Sequence, residues 1–291
     1  MTAASLAAHT LAPRALAGQA PAEQAVTDPG QTSAQYSIMM WTLNKQGTFE
    51  QNLDRVALAG YHHVELVGEF KKWSEEDYGR ILARMETLKI TVDATSGVSA
   101  GFSVPSGGDA FLAGLKEIIP PAKRLGCKQI ILLSGKSIEG AAPGTQHAAA
   151  IESLKRAADL LSSAGLVAVI EPIDRIENPT IYLDGVTEAF EIAKAVNSPN
   201  IRVLYDVYHE QRESGNLIEK FEAHIGLVGL IHIADVPGRH EPGTGEINYT
   251  NIYRKLAQLS YKGTIAMEFY PTTDIVETLR RARDQARSVL S

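Results

Sequence analysis

Cysteine is nearly absent from this 291-residue chain, where Cys127 stands alone. An intrachain disulfide is therefore excluded, as is a Cys-rich zinc site. The lone thiol follows Gly126 at a strand start and reads as an inert core group. No run of about 18 apolar residues occurs, so no transmembrane helix and no membrane partner are expected. Positive charge is also scarce. Lys and Arg total 28 against 34 Asp and Glu, a formal net charge of −6. Nucleic acid demands a basic face, so no nucleic-acid partner is expected. Ser134-Gly-Lys-Ser137 looks like the tail of a phosphate loop, but Ile130 stands where the earlier glycine belongs. A serine hydrolase is not expected either.

Residues 1–35 differ from the rest. They are rich in Ala, Gln, Thr and Pro, and Arg14 is their single Lys or Arg. Leu6-Ala7-Ala8 and Leu16-Ala17-Gly18 look like an apolar export region followed by small residues, without the basic start that a signal peptide needs. Two readings stand: a disordered tail with nothing to bury, or a truncated export signal. The first implies a cytoplasmic protein and the second a periplasmic one.

Residues 36–291 alternate short β-branched runs with longer amphipathic segments. Strands are expected at Tyr36–Trp41, His63–Val67, Thr91–Thr95, Gln129–Leu133, Val167–Glu171, Arg202–Asp206, Gly229–Ala234 and Thr264–Glu268. Helices are expected at Phe49–Ala59 after Thr48, and at Glu75–Leu88 after Ser74 with a capping-box glutamate. Further helices are expected at Phe111–Arg124, Gln146–Ala164, Thr187–Val196, Leu217–His224, Thr250–Leu259 and Asp274–Leu290. Gly60, Gly126, Gly165 and Gly263 sit where helix C-caps want positive φ. Repeated β-then-α units imply a parallel sheet with right-handed crossovers. Eight units in about 250 residues is the size of a (β/α)8 TIM barrel. An open doubly wound sheet would advertise a Gly-rich turn after its first strand. This chain has Trp41-Thr42-Leu43-Asn44 there.

Barrel chemistry collects where strands end. The fifth strand ends on Glu171, the sixth on Asp206 and the eighth on Glu268, and His232 lies near the end of the seventh. Side chains alternate faces, so Val167, Val169 and Glu171 share one face, as do Thr264, Ala266 and Glu268. Any one of the four polar groups alone would read as a loop hydrogen-bond partner or a satisfied core group. Four in register on adjacent strands do not. Clustered buried carboxylates repel one another unless a cation compensates them. Oxygen ligands with one imidazole suit a single Mn²⁺ or Mg²⁺ ion, or Co²⁺.

Other polar groups surround the quartet. His209 lies three residues past Asp206, in what reads as a loop, and Glu177 six past Glu171. Arg239 and His240 lie in the Gly/Pro-rich loop 235–249, placed to reach a substrate oxygen. His62 and His63 fall at the start of a strand, the non-catalytic end, and read as structural. Trp41 and Trp73 read equally as sugar-pocket walls or core.

The stretch Ala234–Tyr249 closely resembles the hydroxypyruvate isomerase family. Glu171-Pro172-Ile173, Tyr205–His209 and Met267–Tyr270 match as well. The resemblance runs from Gln35 to the C-terminus. It implies a xylose-isomerase-like TIM barrel, with the ketose 3-epimerases as cousins. It implies a divalent metal held by Glu171, Asp206, His232 and Glu268, with Glu171 and Glu268 as the acid/base pair, and a homo-oligomer. One position departs from the pattern. Hydroxypyruvate isomerases often carry glutamine where this chain has His232, and ketose 3-epimerases carry histidine. Glu177 and His209 match positions where the epimerases hold the sugar.

The expectation is an isomerase acting on a small hydroxy-keto acid or sugar through an enediolate, of the hydroxypyruvate to tartronate semialdehyde type. The alternative is a ketose 3-epimerase. A phosphodiesterase or nuclease would need more histidine ligands and a basic face. A non-catalytic sugar binder would have lost part of the glutamate pair.

Overall fold

A computed structural model describes residues 33–290. Eight parallel strands follow one another around a closed barrel in chain order. They are β1 (Gln35–Met39), β2 (His63–Leu66), β3 (Thr91–Thr95), β4 (Gln129–Leu133), β5 (Val167–Glu171), β6 (Ile201–Asp206), β7 (Val228–Ile233) and β8 (Thr264–Met267). β8 pairs back onto β1, so every strand edge is satisfied. The intervening helices are α1 (Phe49–Leu58), α2 (Glu75–Leu88), α3 (Gly108–Arg124), α4 (Thr145–Ala164), α5 (Val186–Val196), α6 (Val207–Glu213), α7 (Leu217–His224), α8 (Tyr249–Gln258) and α9 (Ile275–Leu290). The expected (β/α)8 architecture is the one found. The tail expected over residues 1–35 lies outside the described residues up to position 32, and Gln35 is already in β1. None of the described helices is long and apolar enough to cross a membrane.

Four local details differ from the sequence reading. The first strand stops at Met39, because Met40–Leu43 winds into a 3-10 turn that carries Trp41 over the barrel mouth. Ser74 does cap α2 in a capping box, but its reciprocal partner is Asp77 rather than a glutamate. The segment after Asp206 is not a loop. It is α6, and Asp206 is its N-cap, with Oδ1 accepting the N–H groups of Tyr208 at 2.7 Å and His209 at 3.3 Å. Gly60, Gly126 and Gly165 take positive φ as expected, whereas Ser260, not Gly263, takes the left-handed position after α8.

Most of the core lies between barrel and helices. A second, smaller cluster fills the barrel itself, made of Met39, Ala94, Ile131, Val169, Leu204, Leu230 and Ala266. Each comes from a different strand, and β2 contributes Glu65 at the same level, paired in register with Met39 and Ala94. Two residues further along β5–β8 come Glu171, Asp206, His232 and Glu268. The polar mouth therefore sits directly on an apolar floor.

Candidate active site

Strand ends bring the four predicted side chains together, and all four are buried. One ligand atom from each of Glu171, Asp206, His232 and Glu268 lies within 4.8 Å of the others. His232 is at the centre. Its Nδ1 is 2.7 Å from Glu268 Oε2, 3.9 Å from Glu171 Oε1 and 4.0 Å from Asp206 Oδ2. Asp206 splits its duties, since Oδ1 caps α6 while Oδ2 is buried without a hydrogen-bond partner. Its nearest cations are His209 Nε2 and Arg239 Nη2, both at 3.5 Å. A buried carboxylate oxygen without a partner is costly. That orphan, three carboxylates and one imidazole form a donor set that fits a hard divalent cation.

The two glutamates have opposite electrostatic surroundings. Burial and the charge of Glu268 push the Glu171 carboxyl up to about 7. Burial acts on Glu268 too, but Arg239 and His232 outweigh it and hold that carboxyl well below the usual carboxylate range. Arg239 Nη2 lies 2.7 Å from Glu268 Oε2, and Trp41 Nε1–H donates to Glu268 Oε1 at 2.8 Å.

Arg239 owes its position to the loop after β7. The buried Asp235 carboxylate gathers four backbone N–H groups, those of Val236, Gly243, Gly245 and Ile247, at 2.8–3.0 Å. The loop is thus pinned from inside. Arg239 itself has φ 57, a left-handed conformation that costs a non-glycine residue about 1 kcal/mol or more. Its N–H bonds to the Asp235 carbonyl at 3.1 Å, and its own carbonyl accepts Tyr270 N–H at 2.8 Å. The guanidinium lies 5.3 Å from the Trp41 ring and 5.0 Å from the Tyr208 ring, and Nη1 reaches both Glu177 oxygens at 2.8 and 3.0 Å.

His209, on α6, is buried beside the quartet. Asp174 accepts from its Nδ1 at 2.6 Å. Burial opposes its charge, but Asp206 and Asp174 raise its pKa to about 9. Asp174 also accepts the N–H groups of Ile176 and Glu177, fixing the loop that presents Glu177. His240 is turned to the Tyr270 carbonyl at 2.8 Å. Of the eight predicted positions, Glu177 is exposed and His240 half-buried, while the other six are buried.

A family model for the xylose isomerase-like TIM barrel matches residues 53–288. Hydroxypyruvate isomerase of Escherichia coli (strain K12) is 30% identical over 238 residues, 80% of this chain and 92% of that one. The chain belongs to the hydroxypyruvate isomerase family of xylose isomerase-like TIM barrels. Among solved structures, an AP endonuclease, family 2, from Brucella melitensis shares the fold at TM-score 0.77 and 24% identity, covering 84% of this chain and 96% of that one. The D-psicose 3-epimerase of Clostridium cellulolyticum H10, solved with D-tagatose, does so at TM-score 0.71 and 17% identity, covering 88% and 99%.

This isomerase also carries site residues that the sequence reading did not single out. Glu65, on β2, is fully buried and lies 2.9 Å from His232 Nε2. Asp174 is the other, and Trp41 resolves from an open choice into a neighbour of Glu268. Trp73 instead packs edge-on against Phe49 and Tyr78. A charged residue inside an apolar strand run was the available signal for Glu65. Gly97-Val98-Ser99-Ala100-Gly101 has the spacing of a nucleophile elbow. It runs through an irregular loop with Ser99 exposed, and α3 begins only at Gly108, so the strand–turn–helix context of an elbow is missing.

Proposed function

We propose that this isomerase interconverts a small 2-keto acid bearing a hydroxyl on the next carbon with its aldehyde isomer, as between hydroxypyruvate and tartronate semialdehyde. One observation carries the reading: Glu171 and Glu268, from strands separated by two others, converge with Asp206 and His232 on one buried mouth. Glu268 starts ionised and accepts a proton from the hydroxyl-bearing carbon, leaving an enediolate. Glu171 delivers a proton to the former carbonyl carbon, the hydroxyl proton passes to the former carbonyl oxygen as the aldehyde forms, and the proton on Glu268 returns to Glu171 through solvent. In the reverse direction the two exchange roles.

Glu171, Asp206, His232 and Glu268 would hold one divalent cation, Mn²⁺ or Mg²⁺, which would polarise the carbonyl and stabilise the enediolate. Arg239 and His209 present N–H donors beside the quartet and would fix substrate oxygens, with Glu177 steadying Arg239. Trp41 and Tyr208 flank the guanidinium and limit its access to water.

His232 favours a second reading. A ketose 3-epimerase would use the same proton abstraction and return the proton to the opposite face of the same carbon. Purified protein with Mn²⁺ should be offered hydroxypyruvate and a panel of ketoses, and the products followed by NMR. Tartronate semialdehyde is expected. An epimerised ketose with hydroxypyruvate untouched would transfer the assignment to the second reading, and no conversion would remove both.

A further inference from the structure

Glu65 is hard to explain by stability. It occupies the β2 place in the barrel's apolar floor, level with Met39 and Ala94 and fully buried. Its Oε2 lies 2.9 Å from His232 Nε2, and its Oε1 is buried with no hydrogen-bond partner. Removing a carboxylate from water is costly, and a buried ion pair is often no better than apolar groups of the same volume. Its register partners Met39 and Ala94 both belong to the apolar cluster that fills the barrel. Among the described residues, the ring Glu65 bonds to is the imidazole at the centre of the quartet.

We propose that Glu65 is a positioning residue that fixes the tautomer of His232, an inference resting on the divalent-cation reading above. A histidine ligates a cation through a nitrogen that carries no proton, and its other ring N–H is ordinarily held by a carboxylate or carbonyl. With the Nε2 proton donated to Glu65, the lone pair is on Nδ1. That atom is the one facing Glu268, Glu171 and Asp206. The same bond stops the ring from rotating, because Nε2 is anchored in the floor while Nδ1 points into the mouth. Glu65 therefore reaches the site from the opposite half of the barrel and acts through His232 alone.

The test is calorimetric titration of metal-free wild type, Glu65→Leu and Glu65→Gln with Mn²⁺, alongside thermal melts of the metal-free proteins. Glu65→Leu should bind Mn²⁺ about 10–100-fold more weakly, the usual cost of losing such a partner. Its metal-free melting temperature should also fall, since the buried His232 Nε2–H loses its acceptor. Glu65→Gln keeps an acceptor at the same place and should lose less affinity. A merely structural glutamate would lower the melting temperature while leaving Mn²⁺ affinity unchanged, and that result would overturn the proposal. If Glu65→Leu does not fold, ¹H–¹⁵N spectra of the His232 ring in the Mg²⁺-loaded wild type decide. A proton on Nε2 is expected, and a proton on Nδ1 would overturn the assignment. Wild type that binds no divalent cation would bring down the cation reading itself. Equal binding by wild type and Glu65→Leu would bring down only the role of Glu65.

Discussion

Along β5–β8, the positions two residues beyond the barrel floor carry Glu171, Asp206, His232 and Glu268. Along β1–β4 the corresponding positions carry Trp41, Val67, Ser96 and Leu133. The backbone is the same repeated unit throughout, but nearly all the buried charge in the mouth lies on one half. The other half supplies a wall of low polarity, broken by Glu65 one level down. Charges beside such a wall interact more strongly than they would in water. The neutral half thus adds no charge at this level, although Trp41 lends Glu268 a hydrogen bond. Division of labour between the halves predicts that substitutions on one side should cost turnover and those on the other, Glu65 and Trp41 apart, should cost stability.

The sharpest break in that pattern should come from the two glutamates. Glu171→Gln or Glu268→Gln keeps side-chain size and should leave the fold intact, with turnover reduced by about 10²–10⁴-fold, the usual worth of a general acid or base. Wild-type turnover in either variant would end the acid/base assignment. On the other half, Ile130 of β4 is fully buried against the helix layer. Ile130→Ala should lower stability in denaturant melts by about 2–5 kcal/mol while leaving turnover per folded molecule unchanged. A large fall in turnover with little loss of stability would mean that the halves are not divided as described.

The smallest expected effect concerns another His–carboxylate pair, at the opposite end of the barrel. His63 Nδ1 lies 3.0 Å from Asp93 Oδ1, partly exposed, and that hydrogen bond raises the His63 pKa despite partial burial. A folded-state pKa above the unfolded value stabilises the protein fully below about pH 6.5, and the contribution fades as pH rises through the folded value. His63→Gln should therefore lower the melting temperature at pH 5.5 and barely change it at pH 9. For a partly exposed pair the shift should be about 2 °C or less. An equal loss at both pH values would show that packing, not charge, is what His63 contributes.

The barrel was legible because eight strands and their helices announce themselves by two different periods, and because Glu171, Asp206 and Glu268 stand at the ends of apolar runs. Helix α6 was not legible, since Tyr205 to His209 combine β-branched and aromatic residues that suit a strand or loop. What makes the helix there is the Asp206 side chain folding back onto two N–H groups, a tertiary choice the pattern does not encode. Glu65 and Asp174 escaped for a related reason. Each acts on a histidine far away in sequence, 167 residues from Glu65 to His232 and 35 from Asp174 to His209. Periodicity places a residue on a face, but the partner on that face depends on closure of the whole barrel.

Asp206 joins a helix cap and a candidate ligand in one side chain, and this constrains how the position can drift over generations. Replacing a capping Asp by Ala costs about 0.5–2 kcal/mol whether or not the enzyme is needed. Selection for folding alone would keep a short oxygen-bearing side chain there, so a lineage that lost its substrate would still hold part of the site in place, ready to be recruited again.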